Sequence, residues 1–279
     1  MNKKELISAL NALDMRPGRG LGQNFLLDGN LLEFIVRASG LAEGDSVLEV
    51  GPGFGALTEK LLAHGGKVIA VEFDHRLAEY LRKKFDGKNL NLIEADACRV
   101  DFAAIFGEKP FKAIANLPYA ISTVFIAKLL DSAVSPASML FMLQKEMGER
   151  LAAAPGTKAY GALSVRCQLC YDVSIVRIVP PEVFFPPPEV DSALVKFVRH
   201  DRFDLGNGIG RCVAGIVKLA FSQRRKQLGK LLGRGGYDAG KVAAAFAEMK
   251  IPLEIRPDRL DVAQFYRLGS LLRKENPCL

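Results

Sequence analysis

The chain has 279 residues, 49% hydrophobic and 25% charged, with a formal net charge of +7. That composition supplies a full core and excludes an intrinsically disordered chain, and no apolar run is long enough to span a bilayer. The basic excess favours an anionic partner, nucleic acid or a membrane surface, without choosing between them. Five cysteines at irregular spacing (Cys98, Cys167, Cys170, Cys212, Cys278) point to free thiols in a reducing compartment. Cys167 and Cys170 form a lone C-x-x-C with no second ligand pair at zinc spacing, so they read as small packed residues and no metal is expected. The start, Met1-Asn2-Lys3-Lys4-Glu5-Leu6, leads into no signal-peptide core, and a soluble cytoplasmic protein with no membrane segment is the expectation.

Residues 1–29 form a polar-to-mixed lead-in containing the basic stretch Arg16-Pro17-Gly18-Arg19-Gly20. From about residue 30 to 145, short apolar runs alternate with amphipathic stretches. The runs Ser46–Val50, Lys67–Val71, Leu90–Glu94, Phe111–Ala115 and Ser138–Leu143 read as strands, with helices near 56–64, 75–85 and 122–131. This alternation predicts βαβ units and a mostly parallel sheet covered on both faces, a Rossmann-like α/β fold. Residues 145–170 read as one helix. Val173–Val179 and Ala193–Val198 read as late strands joined by a proline-rich loop through Pro186-Pro187-Pro188, giving the sheet an antiparallel edge. Composition shifts at Asp201–Gly210, and everything beyond is helical in pattern, near 211–221, 224–233, 238–249 and 260–273. The expected domains are therefore 1–200, catalytic, and 201–279, a small all-helical unit.

Val47-Leu48-Glu49-Val50-Gly51-Pro52-Gly53-Phe54-Gly55-Ala56-Leu57 reads as a strand, a glycine turn and a helix. Glycines let a ligand approach the backbone, and the helix start offers unpaired N–H groups. Gly51, Gly53 and Ala56 satisfy the dinucleotide fingerprint, and Glu72 stands where a ribose-binding acid belongs, so a nicotinamide-binding domain fits this segment too. Three features favour S-adenosylmethionine. Glu49, inside the strand before the glycines, suits a ligand with an amino group and suits a pyrophosphate poorly. Asp96, after the third strand, can accept a hydrogen bond from an adenine amine. The fourth strand ends in Asn116-Leu117-Pro118-Tyr119.

An adenine amine is a weak nucleophile because its lone pair is delocalised into the ring. An asparagine side-chain oxygen and a backbone carbonyl can accept its two hydrogens and turn the lone pair toward a sulfonium methyl. Pro118 stiffens the turn and Tyr119 can stack on the base. Positioning and oriented dipoles carry such a reaction without a strong general base, so His64, His75 and His200 are not needed. A base inside RNA must be flipped or unpaired, and Phe184 or Phe185, in the proline-rich loop, can supply the second wall of its pocket, Phe184 being the favoured candidate.

These residues resemble the ribosomal RNA adenine dimethyltransferases, the enzymes whose loss confers kasugamycin resistance in bacteria. The likeness runs nearly end to end. It begins with Leu21-Gly22-Gln23-Asn24-Phe25-Leu26, the glycine loop, Val71-Glu72, Glu94-Ala95-Asp96-Ala97 and Asn116–Tyr119. It continues with Gln144-Lys145-Glu146, Val179–Phe184, Pro186–Ala193 and Ala220-Phe221-Ser222-Gln223-Arg224-Arg225-Lys226. The resemblance implies a methyltransferase domain with a helical C-terminal domain, and S-adenosylmethionine as cofactor. It implies as substrate two adjacent adenosines in a hairpin near the 3′ end of small-subunit ribosomal RNA, on an assembling subunit, and a monomeric enzyme. Asn24, Leu26, Gly51, Glu72, Asp96 and Asn116 would contact the cofactor, with Glu49, Gly53 and Ala97 beside them, Glu72 holding the ribose hydroxyls and Asp96 the adenine amine. One departure is Glu189, where the family usually has a basic residue after the three prolines. From Arg211 to Arg234 no acid interrupts seven basic residues, and within that run Arg224, Arg225 and Lys226 are the expected contacts to RNA phosphates. The rivals are a methylase of large-subunit RNA, a non-catalytic assembly or transcription factor, and a nicotinamide dehydrogenase.

Overall fold

The computed structural model describes residues 3–15 and 24–273. In chain order the elements are α1 (Lys3–Ala12), β1 (Phe25–Leu26), α2 (Gly29–Ser39), β2 (Ser46–Val50), α3 (Ala56–Ala63), β3 (Lys67–Glu72), α4 (His75–Lys84), β4 (Leu90–Glu94), α5 (Phe102–Phe106), β5 (Lys112–Asn116) and α6 (Ser122–Asp131). There follow β6 (Ser138–Gln144), α7 (Lys145–Leu151), α8 (Ala162–Gln168), β7 (Tyr171–Val179), β8 (Phe184–Phe185), β9 (Ser192–Arg199), α9 (Ile209–Ser222), α10 (Leu228–Arg234), α11 (Ala239–Glu248) and α12 (Val262–Leu272). Among the described residues, no helix is long and apolar enough to cross a membrane.

Seven strands make one sheet in the order β4-β3-β2-β5-β6-β9-β7. The pairs β2–β3, β3–β4, β2–β5 and β5–β6 are parallel, and β6–β9 is antiparallel. The fold class expected from the sequence is the one found. The continuous apolar run Met139-Leu140-Phe141-Met142-Leu143 in β6, with every residue at 1% exposure or less, requires cover on both faces. On one face Leu140 and Met142 join a core with Leu31, Leu32 and Ile35 of α2 and Leu57 and Leu61 of α3. On the other, Phe141 meets Phe125 of α6 and Phe197 of β9, ring centroids 6.1 and 5.9 Å apart. Helix starts are fixed by acids: Asp28, Asp74 and Asp101 each accept a backbone N–H of the helix they precede.

After β2 the chain winds to one side, through β3 to β4. It then returns to start β5 on the other side of β2 and winds outward through β6. The carboxyl ends of β2 and β5 therefore stand side by side where the connections diverge, the place in such a sheet where ligands bind.

The sequence misses α1, inside what reads as a lead-in, along with α2, α5 and the two-residue strands β1 and β8. The basic stretch Arg16–Gly20 and the segment Leu21–Gln23 lie outside the described residues. The single helix expected over 145–170 is two helices, interrupted after Leu151 by Ala152-Ala153-Ala154-Pro155-Gly156. A proline cannot donate to a helical ladder, and Gly156 stands at φ +82°.

The chain forms two compact units, residues 1–148 with 174–199, and residues 149–173 with 200–279. The second differs from the expected 201–279 by gaining 149–173. The reason is apolar: Tyr160, Val165 and Leu169 belong to the same core as Val213 and Ile216 of α9, Phe246 of α11 and Phe265 of α12. In that core, Gly269 of α12 lets α9 approach so closely that a Cβ there would lie 2.2 Å from the Val213 Cγ2. Gly233, in α10, has nothing within 4 Å of the equivalent position. The same methyl should thus have opposite effects. Gly269→Ala should lower stability by about 1–3 kcal/mol through overpacking, while Gly233→Ala should raise it by about 0.5 kcal/mol through helix propensity; thermal or denaturant unfolding of both variants checks the sign.

Candidate active site

Two hollows sharing Gly51, Glu72 and Pro118 open at the diverging strand ends. The first is lined by Asn24, Leu26, Glu49, Gly53 and the whole stretch from Asn116 to Tyr119. The second takes Phe73, Asp96, Ala97 and Ile121. The residues nominated from the sequence for the cofactor thus all line one hollow or the other.

The glycine turn is built for close approach. Gly51 and Gly53 sit at φ +66° and +58°, and a Cβ would come within 3.0 Å of the Pro118 ring at the first and of the Phe25 ring at the second. No other residue fits both the backbone and the space. Glu49 lies beneath this turn, 1% exposed, and its Oε2 has no hydrogen-bond partner. Burial pushes its pKa up to about 8, with Thr58 pulling the other way and the Glu72 carboxylate adding to the rise. A buried carboxylate oxygen left unpaired at a ligand hollow is costly by itself and is matched by a ligand that brings a cationic donor.

Glu72 is differently placed. Its Oε1 accepts the Phe73 and Asp74 N–H groups at 2.8 and 3.0 Å, and its Oε2 accepts the Gly53 N–H at 3.2 Å. Burial raises its pKa, and these three amides pull the other way. The carboxylate thereby ties the end of β3 to the glycine turn and keeps lone pairs to spare for a hydroxyl. Asp96 accepts the Cys98 N–H at 2.9 Å, with the Arg99 guanidinium 3.5 Å from its other oxygen.

Asn116 ends β5. Its Nδ2 donates to the Asn24 carbonyl at 2.9 Å, which fixes the amide with Oδ1 as its remaining acceptor. The carbonyls of Pro118 and Tyr119 accept the Ile121 and Ser122 N–H groups in the turn into α6, leaving the Leu117 carbonyl outside that turn. Two oxygen acceptors one residue apart, on a turn stiffened by Pro118, are the arrangement an exocyclic amine requires.

Phe184 is not brought to the hollows. It pairs with Leu26 across β1 and β8, is 3% exposed, and packs in the core with α2 and α3. In this structure it is a core residue and lines neither hollow. Neighbours along a strand face opposite sides, so Phe185 is the one turned away from that core, toward Phe54 and Leu6. The sequence did not single out Phe73, which is 69% exposed beside the Asp96 hollow, or Phe25, which meets Phe54 edge-on at 5.1 Å. A large aromatic directly after a strand-ending acid is the signal that would have found Phe73.

In the second unit, Arg225, Lys226, Lys230, Arg234 and Arg256 line one hollow whose only lining acid is Glu254. Arg256 could not be associated with the others by sequence proximity. Arg224, expected among the RNA contacts, is instead committed inside the unit: its guanidinium donates to the Lys158 carbonyl and, at 2.6 Å, to the Thr157 carbonyl, and lies 3.8 Å from Asp258.

The family model described as ribosomal RNA adenine dimethylase matches residues 17–274. A protein named ribosomal RNA small subunit methyltransferase A, from Lactobacillus delbrueckii subsp. bulgaricus, is 40% identical over 272 residues, covering 92% of this chain and 91% of that protein. The protein of the same name from Alcanivorax borkumensis is 40% identical over 259 residues, with the same two coverages. Among solved structures, a dimethyladenosine transferase from Plasmodium falciparum superposes with a TM-score of 0.77 at 28% identity, over 90% of this chain and 98% of that one. The 23S rRNA methyltransferase ErmE superposes with a TM-score of 0.69 at 26% identity, over 89% and 99%. Matched over nearly its whole length, the chain belongs to the ribosomal RNA adenine dimethylase family and is a methyltransferase that uses S-adenosylmethionine.

Proposed function

We propose that this enzyme transfers methyl groups to the exocyclic N6 of two adjacent adenosines in a hairpin near the 3′ end of small-subunit ribosomal RNA, giving N6,N6-dimethyladenosine on an assembling subunit. The observation that carries the reading is the pair of acceptors at the end of β5, Asn116 Oδ1 and the Leu117 carbonyl, held by the Asn24 contact and the Pro118 turn. The relatives named for small-subunit methylation support the substrate assignment. A monomeric, cytoplasmic enzyme fits the same reading.

The residues present fit the cofactor. Glu49 Oε2 is a buried, unpartnered acceptor suited to an α-ammonium group, the glycine turn has no Cβ to obstruct a ligand, and Glu72 has acceptor capacity left for ribose hydroxyls. Asp96, with Phe73 and Ala97 nearby, would receive an adenine ring. When bound, S-adenosylmethionine supplies an electrophilic methyl on a sulfonium sulfur. The chain's own work is orientation. Asn116 and Leu117 accept the two N6 hydrogens and localise the lone pair, Tyr119 stacks on the base, and the proton released as the N–C bond forms passes to water. Arg225 and Lys226, with Lys230, Arg234 and Arg256, offer contacts to RNA phosphates, whereas Arg224 holds the 157–158 turn.

Small subunits purified from cells lacking the modification, incubated with the protein and labelled S-adenosylmethionine, should yield N6,N6-dimethyladenosine on digestion and mass spectrometry. Asn116→Ala should lower the rate by about 10²–10³-fold, the cost of removing one preorganised hydrogen-bonding group. No methylation of these subunits by a wild-type protein that binds the cofactor would sink the substrate assignment.

Arg225→Ala and Lys226→Ala should weaken subunit binding and each flatten its log-log salt dependence by about one unit, with unchanged melting. Arg224→Ala should lower the melting temperature as well; filter binding across a salt series and thermal denaturation separate the two roles.

Glu49 supplies a pH signature. Its folded pKa is raised, so its contribution to stability is full below the ordinary glutamate range and is lost as pH rises through about 8. Glu49→Gln should therefore flatten the decline in melting temperature of the ligand-free protein between about pH 5 and pH 8. Cofactor binding favours the ionised carboxylate, so wild-type affinity should tighten over the same range while that of the variant stays level, as read by calorimetric titration.

A further inference from the structure

Tyr119 is held at both ends. Its carbonyl accepts the Ser122 hydroxyl at 3.0 Å, fixing the backbone at the entry to α6. At the far end of the ring, its hydroxyl and that of Ser192 share a hydrogen bond at 2.6 Å. Ser192 opens β9, two strands along the sheet from the β5 end that carries Tyr119. It is fully buried, and its own position is set by the ladder opposite Gln144 and by the Lys145 N–H, which donates to the Asp191 carbonyl at 3.0 Å.

A tyrosine ring turns about two bonds; its hydroxyl oxygen lies on the axis of the second, so anchoring it fixes the rotation about Cα–Cβ and with it the direction and place of the ring. Stacking on a base needs only the face of the ring, and phenylalanine provides that face equally well. The hydrogen bond between the two hydroxyls is therefore surplus to stacking and must be explained by what it fixes. Burial raises the Tyr119 pKa and the Ser192 bond opposes this only in part, so the phenol stays protonated and the contact is one between two neutral hydroxyls.

We propose that Ser192 is a positioning residue for methyl transfer: its hydroxyl, on a strand that lines neither hollow, holds the Tyr119 ring by its far end and so sets where a stacked adenine offers N6 to the Asn116 and Leu117 acceptors. The proposal rests on the methyl-transfer reading above. It explains why this buried position carries a hydroxyl, and it gives the downstream end of the proline-rich segment a part in catalysis.

The test is a double-mutant cycle on the full-length enzyme, with unmodified small subunits as substrate. Ser192→Ala, Tyr119→Phe and the double variant are measured for kcat, KM for subunits and cofactor affinity, with Ser192→Thr as the conservative variant. The expected result is a fall in kcat of about 10-fold for either single change, reflecting a misaligned base, and cofactor affinity within about 2-fold of wild type. The double variant should be no slower than the slower single, and Ser192→Thr should recover most of the rate. Tyr119→Phe leaves β9 untouched, so its effect is read even if Ser192→Ala destabilises the fold. Multiplicative losses in the double variant would overturn the proposal, as would full kcat in Tyr119→Phe. An inactive wild-type enzyme would fault the substrate reading instead, which keeps the two failures apart.

Discussion

The site depends on one constraint of chain geometry. Crossover connections between parallel strands have a single hand, so a sheet that grows outward in both directions from β2 must send its connections to opposite faces. The connections leaving β2 and β5 therefore diverge, and a crevice opens between the two strand ends. Backbone amides and carbonyls that would elsewhere be consumed by packing remain addressable there. The glycine turn after β2, the Glu72 carboxylate at the end of β3 and the Asn116 amide at the end of β5 surround this gap; Glu72 is tied to the turn through the Gly53 N–H, and Asn116 to the Asn24 carbonyl.

Polar burial around that gap is divided between two kinds of carboxylate. Glu72 spends its oxygens on three backbone amides and so stabilises the loop that bears it. Glu49 keeps an oxygen unpaired at 1% exposure. The first acid is chiefly architecture with ligand capacity left over; the second presents an unsatisfied acceptor oxygen at the hollow. The difference follows from their positions. Glu72 is the last residue of its strand, adjacent to free N–H groups, whereas Glu49 is one residue inside its strand, where the neighbouring amides belong to the sheet ladder.

Much of this was legible in the sequence because the signals are local. Ser46–Val50 and Leu90–Glu94 are short runs rich in apolar residues and bounded by turn residues, and their ends were found to the residue. Glu72, Asp96 and Asn116 sit at or just beyond strand ends, so locating the strands located them, whereas Asn24 and Leu26, at the unforeseen β1, came from the resemblance. What escaped were features decided by distant partners. α1 buries only Leu6 and Leu10, too narrow a stripe to stand out. Phe184 and Phe185 are chemically alike, and only the pairing with β1 decides which faces the core. The Arg224-Arg225-Lys226 run looks uniform in sequence, yet its first member is drawn inward by carbonyls more than 60 residues earlier. Arg256 joins the basic hollow from beyond two further helices.

The second unit is assembled from two separate passages of chain, 149–173 and 200–279, with the strands of the first unit running between them. A ribosome delivers α8 long before α9 and α12, so the apolar faces of Tyr160, Val165 and Leu169 emerge without the partners they share a core with. The helical unit therefore completes itself only after the sheet is finished, which makes its closure a late event in biosynthesis. For recombination, the same threading means that no single exchange point can transplant this unit: a chimaera joined near residue 200 inherits helices 9 to 12 from one parent and the segment they close upon from the other, so the two parents must already agree in the sequence of that segment.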